Sequence, residues 1–149
     1  MGRILGVDYG ESRIGLSISD QTKSIAFPLK TISNNSFKSL LEFFRTVVVE
    51  KNIESIVVGL PLGMNGKDTN QTKKVRLFSK SIRILGLPVF FQDERLTSVS
   101  AKKSLIKENI KTGHNKWKID ERAAAIFLQQ FLDINKLGLI LWEGILWIL

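Results

Sequence analysis

Arg3–Asp20 reads RILGVDYGESRIGLSISD. Arg3 to Val7 is a short apolar run with one glycine, and it runs straight into Asp8. Tyr9-Gly10-Glu11-Ser12 carries a turn signal. From Arg13 to Ser19, Ile14, Leu16 and Ile18 alternate with Gly15, Ser17 and Ser19, the period of a half-buried strand. The stretch therefore reads as a two-stranded hairpin. Strand residues two apart share a face, so Ile4, Gly6 and Asp8 point the same way. A carboxylate ending a central strand needs a cation or a rich set of hydrogen bonds. Taken alone, Asp8 also fits a turn cap, a position that aspartate favours.

The rest of the chain weighs on that choice. Its 149 residues make one domain, long enough to bury a sizeable core. The net charge of +8 is unevenly spread. Residues 67–118 carry thirteen basic and four acidic side chains, whereas residues 1–66 carry seven against six and residues 119–149 two against four. A basic block of that kind is a footprint for a polyanion, although a solvated basic face would look the same by charge alone. The chain has no cysteine, which excludes disulfides and thiolate metal sites and permits a reducing compartment. No charged segment followed by an apolar one marks a signal peptide at the N-terminus, and the expected location is the cytoplasm.

Further along, Ser24 to Ile32 reads as a third strand, and Pro28 inside it points to an edge or a bulge. Ser33-Asn34-Asn35-Ser36 starts a helix in which Phe37, Leu40, Leu41, Phe44 and Val48 form the apolar face. Ser55 to Gly59 is a β-rich run between two helical patterns, as expected of a central parallel strand. The loop Gly59–Asn70, GLPLGMNGKDTN, leaves the carboxyl end of that strand, where sites form in open α/β sheets. A second helix opens at Asp68 or Thr69, shows Val75, Phe78, Ile82 and Leu85 on one stripe, and stops at Gly86-Leu87-Pro88. Val89 to Gln92 is the next strand and ends in Asp93-Glu94. Thr97 or Ser98 caps a third helix reaching Lys107, and Ile110–Lys118 is a basic loop holding the only histidine.

The last helix starts near Ile119. Asp120, Ala124, Phe127 and Phe131 share one face, so an acid sits at the start of a buried stripe. A role for Asp120 in capping the helix is the other reading. Together, Asp8, Glu94 and Asp120 would meet at one edge of one sheet.

DYGESRIGLSISD, VVGLPLGMNG, DERLTS and IDERAAAIFLQ, in this order and spacing, resemble the YqgF (RuvX) family of Holliday junction resolvases. The resemblance covers roughly residues 3–135. It implies a ribonuclease H-like α/β fold, a mixed central sheet with an antiparallel hairpin and parallel strands, flanked by helices. It also implies a nuclease whose catalytic and metal-holding acids are Asp8, Glu94 and Asp120, with Asp8 as the bridging ligand. Hard oxygen ligands of this kind suit Mg²⁺ or Mn²⁺. Asp93 is the rival of Glu94, since neighbours on a strand face opposite ways. Arg13, Lys67 and Arg95 are candidate phosphate contacts, Thr97 and Ser98 candidate hydroxyl donors, and Gly10, Gly63 and Gly66 points of close backbone approach.

Departures from the family pattern are Ser17 for a frequent alanine, Ser100 for a frequent acid, and Ala123 where related resolvases carry a fourth acid. The resemblance links the chain to two nucleic-acid substrates, precursor 16S ribosomal RNA trimmed at its 5′ end and branched DNA at four-way junctions, with the RNA task preferred. A catalytically silent nucleic-acid-binding module is the rival class. Sugar kinases and actin-type ATPases share the core hairpin, but they need a second lobe that 149 residues do not supply.

The pattern ends at residue 136, giving a domain over 1–136 and an apolar tail over 137–149. Ten of the thirteen tail residues are Leu, Ile or Trp. That is too short to span a bilayer, which takes roughly 20 apolar residues. The tail is expected to pack on the domain or to pair two copies as a homodimer, with no membrane span.

Overall fold

The structure is a computed structural model that describes residues 2–94 and 116–142. Five strands form one mixed sheet in the order β3-β2-β1-β4-β5: β1 Arg3–Tyr9, β2 Arg13–Ser19, β3 Ala26–Ser33, β4 Ile53–Leu60 and β5 Val89–Asp93. β1, β2 and β3 are antiparallel neighbours, while β4 runs parallel to β1 and β5 parallel to β4. Helices α1 (Phe37–Glu50) and α2 (Asn70–Ser81) cover one face. Helix α3 (Lys116–Trp142) lies across the other.

Local chemistry explains most of these boundaries. Ser36 caps α1 by accepting from Ser39 N, and Thr69 with Thr72 forms a reciprocal capping box at α2. The Thr72 hydroxyl also donates to Pro61 O, which fastens α2 to the end of β4. After α2 a 3-10 turn, Ile82–Leu85, ends at Gly86 with φ of 78°, a left-handed conformation that glycine adopts without strain. β3 is an edge strand, and its register against β2 slips between Leu16 and Ser17, opposite Pro28. Proline lacks the N–H that a regular ladder needs there.

The alternation in the hairpin decides which side chains go to which layer. Leu5, Val7, Ile14, Leu16, Ile18, Ile56 and Val58 join Leu40, Phe44 and Val47 of α1 and Val75 and Phe78 of α2 in one core. Ile4 and Val57 meet Ala124, Phe127, Leu128 and Leu132 of α3 in a second.

Three expectations are corrected. In α1 the buried residues are Leu40, Phe44 and Val47, while Val48 is half-buried and Phe37 at the first turn is 44% exposed. Helix α3 begins at Lys116 rather than Ile119, so Lys116–Lys118 are helical rather than loop. Asp120 therefore lies past the first turn, where backbone N–H groups are already bonded within the helix, and a capping role does not apply. Helix α3 runs on through 137–142. The expected helix over 97–107 and residues 110–115 of the histidine loop lie outside the described residues.

Candidate active site

Asp8 is buried at 8% exposure at the carboxyl end of β1. It stands opposite Gly15 of β2, and one residue past the Val7–Val58 pair Gly59 of β4 stands beside it. Each of these glycines clears space for another acid. A Cβ on Gly15 would fall 2.2 Å from the backbone C and O of Asp120, so α3 rests on bare strand backbone there. A Cβ on Gly59 would fall 2.3 Å from Glu94 Oε1 and 2.8 Å from the Phe127 ring. Asp8 thus sits between two side-chain-free positions, with Asp120 over one and Glu94 over the other.

Strand parity separates Glu94 from Asp93. Gly59 pairs with Gln92, which is buried, and Glu94 follows two residues later on the α3 face. Its backbone N–H donates to Leu60 O and its side chain is buried at 7% exposure. Asp93 pairs with Leu60, whose side chain belongs to the α1/α2 core, and takes the opposite face.

Asp120 is gripped from the hairpin. Arg13 Nε donates to Asp120 Oδ2 at 2.9 Å, with the side chains 33% and 17% exposed. One residue on, Glu121 Oε2 accepts from the Thr31 hydroxyl at 3.3 Å, so β2 and β3 both hold the start of α3. Arg13, a candidate phosphate contact by sequence, thus lies beside one of the three acids. Among the described residues no three His, Asp or Glu side chains converge closely enough to hold an ion as they stand. The three acids supply hard oxygen donors, the kind Mg²⁺ or Mn²⁺ takes, so they fit such an ion in chemistry.

Of the other sequence candidates, Lys67 is exposed in the β4–α2 loop, where its N–H donates to Asn65 Oδ1 and its carbonyl accepts from Gly63 N. Gly66 has φ of 79° and closes the same loop by donating to Gly63 O. A Cβ on Gly10 would lie 2.6 Å from Arg13 O. Turn geometry alone thus accounts for Gly10 and Gly66. Arg95, Thr97 and Ser98 lie outside the described residues. Sequence reasoning passed over Gly15 and Gly59, although an isolated glycine inside a strand signals close approach of another backbone or group.

Two solved resolvases resemble this fold. Thermus thermophilus RuvC in complex with Holliday junction substrate matches with a TM-score of 0.58 and 14% identity, over 91% of this chain and 96% of that one. The fowlpox virus Holliday junction resolvase matches with a TM-score of 0.51 and 13% identity, over 89% and 99%. The architecture is the ribonuclease H-like fold of these enzymes. At the level of sequence, residues 2–134 match the family model RuvX, Holliday junction resolvase, and the chain belongs to that nuclease family. A relative from Roseiflexus sp. (strain RS-1) is 41% identical over 91% of this chain and 96% of its own length. Another, from Caldanaerobacter subterraneus subsp. tengcongensis, is 40% identical over 90% and 98%. Both bear the name "Putative pre-16S rRNA nuclease".

Proposed function

We propose that this chain hydrolyses phosphodiester bonds at the carboxyl edge of the sheet, with Asp8, Glu94 and Asp120 holding Mg²⁺ or Mn²⁺. The observation that carries this reading is the pair of glycines beside Asp8, each opening room for one further acid. A divalent ion there supplies activation of the attacking water and stabilisation of the leaving oxygen. The chain's own part is orientation. Arg13 holds Asp120 toward the site, and burial keeps Asp8 and Glu94 from wandering into solvent. Lys67, Arg95, Thr97 and Ser98 surround the edge in sequence and would donate to backbone phosphates.

The preferred substrate is the 5′ end of precursor 16S ribosomal RNA, in keeping with the names of relatives about 40% identical over most of the chain. The cytoplasm is the compartment that goes with it. The fold likeness to resolvases supports four-way DNA junctions as the second reading. No helix among the described residues is long and apolar enough to cross a membrane. We assign the 137–149 tail to self-association; its deletion should lower the mass measured by light scattering, and an unchanged mass would remove that role.

Labelled precursor RNA and a labelled four-way junction, each incubated with the purified protein with and without Mn²⁺, test the substrate. Metal-dependent cleavage confined to the RNA is expected. Cleavage of the junction alone would move the assignment to DNA, and cleavage of neither would leave a binding module.

A further inference from the structure

On the opposite layer of the same sheet edge lies a cleft of about 410 Å³ between the end of β1, the start of α1 and the middle of α2. Its floor is aromatic: Phe78 is buried and stacks on Tyr9 with ring centroids 4.5 Å apart and planes inclined by 26°. Its walls are two exposed apolar side chains, Phe37 at 44% and Leu77 at 67% exposure. Asn35 lies on the rim, and among the described residues its amide has no hydrogen-bond partner. Lys74 stands at the mouth in an ion pair with Glu11, and both side chains are about half exposed. A pair in that setting is weak and readily exchanged for another anion.

We propose that this cleft takes one unpaired nucleobase of the bound nucleic acid, with Lys74 passing from Glu11 to the adjoining phosphate. The inference deepens the nuclease reading and rests on it. A base needs an apolar surface to stack on, an amide for its edge and a cation for its backbone, and the cleft offers all three. Charge favours a nucleic acid over an apolar peptide. The exposed side of α2 carries Lys73, Lys74, Arg76 and Lys80, on a chain of net charge +8. Position favours it too. Asp8 and Tyr9 are consecutive, and their side chains leave opposite faces of one strand end. A strand whose phosphate lies over Asp8 has only to cross the sheet edge to deliver a neighbouring base to Tyr9 and Phe37. The β1–β2 turn and the start of α1, which frame the crossing, are tied together by Asn34 N donating to Ser12 O and Asn34 Nδ2 to Gly10 O.

The test is binding in EDTA, where hydrolysis does not interfere, of short single-stranded RNA and DNA in which one base at a time is removed. The wild-type protein should lose about five-fold or more in affinity at one position, the range for losing one stacked base. Phe37→Ala should lose as much with the intact strand and then be indifferent to that position. Lys74→Gln should lower the slope of log K against log salt by about 0.7, the value for one phosphate on a single strand. Equal losses for Phe37→Ala on single strands and on blunt duplex, or no base-dependent position at all, would overturn the cleft assignment and leave a peptide side chain as its occupant. The nuclease reading fails separately: a base-dependent position with no Mn²⁺-dependent cleavage removes the catalysis and keeps the cleft, and the converse result does the reverse.

Discussion

The two faces of the sheet are packed on different principles. Under α1 and α2, the strands present Leu5, Val7, Leu16, Ile56 and Val58, and the helices answer with Phe44, Val47, Val75 and Phe78. Side chain meets side chain, and the layer is a filled apolar core. Under α3, the same strands present Gly6, Gly15, Ser17 and Gly59, and the helix comes down onto the sheet itself, touching through Ala124 O and the backbone of Asp120. The first face stabilises by area removed from water. The second gives up side chains beside Asp8, which leaves room for the α3 backbone at Asp120 and for Glu94, while Ile4 and Val57 keep a smaller apolar core under the same helix. Within a single strand, Leu16 serves the first purpose and its neighbours Gly15 and Ser17 serve the second.

Substitutions within that strand break the contrast at graded strength. Leu16→Ala should cost about 2–5 kcal/mol of unfolding free energy in urea titration, the range for deleting a buried leucine side chain. Metal-dependent cleavage per folded molecule should survive. Gly15→Ala should cost less stability, about 1–3 kcal/mol as for other overpacked sites, because the helix backbone above must lift. Its effect on cleavage should be the larger of the two, since the part that lifts is Asp120. Equal ratios of lost activity to lost stability in the two variants would erase the distinction between the faces.

Ser17 offers a smaller effect of opposite sign. Its hydroxyl is fully buried and has no hydrogen-bond partner among the described residues. Ser17→Ala should raise stability by about 1 kcal/mol, the order of the desolvation penalty it removes. A loss of stability would show that the hydroxyl has a partner.

Asp20, at the far edge of the sheet, gives the smallest effect. Its carboxylate accepts from the Thr22 hydroxyl and from the N–H groups of Ile25 and Ser24, and these hold its pKa down at about 2. A lowered folded-state pKa means stability that is present above the ordinary carboxylate value and lost as pH falls toward 2. Asp20→Asn should lower stability near pH 7 and flatten the stability curve between about pH 4 and 2, so that the two proteins converge as the pH nears 2. Asp20 is a turn acid whose partners are all within five residues, unlike Asp120, whose partner Arg13 is 107 residues away.

That difference in range explains what the sequence made readable. The hairpin, the central strand and the start of α2 are set by turn residues, period and a capping box, all within a few positions. The acids at the ends of β1 and β5 were visible because each terminates an apolar run. The Arg13–Asp120 pair joins residues 107 apart, and no local pattern announces it. The helix start was misplaced because Lys116-Trp117-Lys118 resembles the basic loop before it in composition. Phe37 fits the apolar period of α1, yet it stands at the first turn beside a cleft rather than in the core.

Asp8→Asn, assayed on labelled precursor RNA with Mn²⁺, bears most directly on the proposal that the glycine-floored edge is a metal-dependent hydrolytic site. Cleavage should fall by more than about 100-fold, because even outer partners of a metal ligand are worth 10–100-fold. The thermal midpoint and the affinity for RNA in EDTA should stay at their wild-type values. A variant that cleaves at the wild-type rate would contradict the assignment outright.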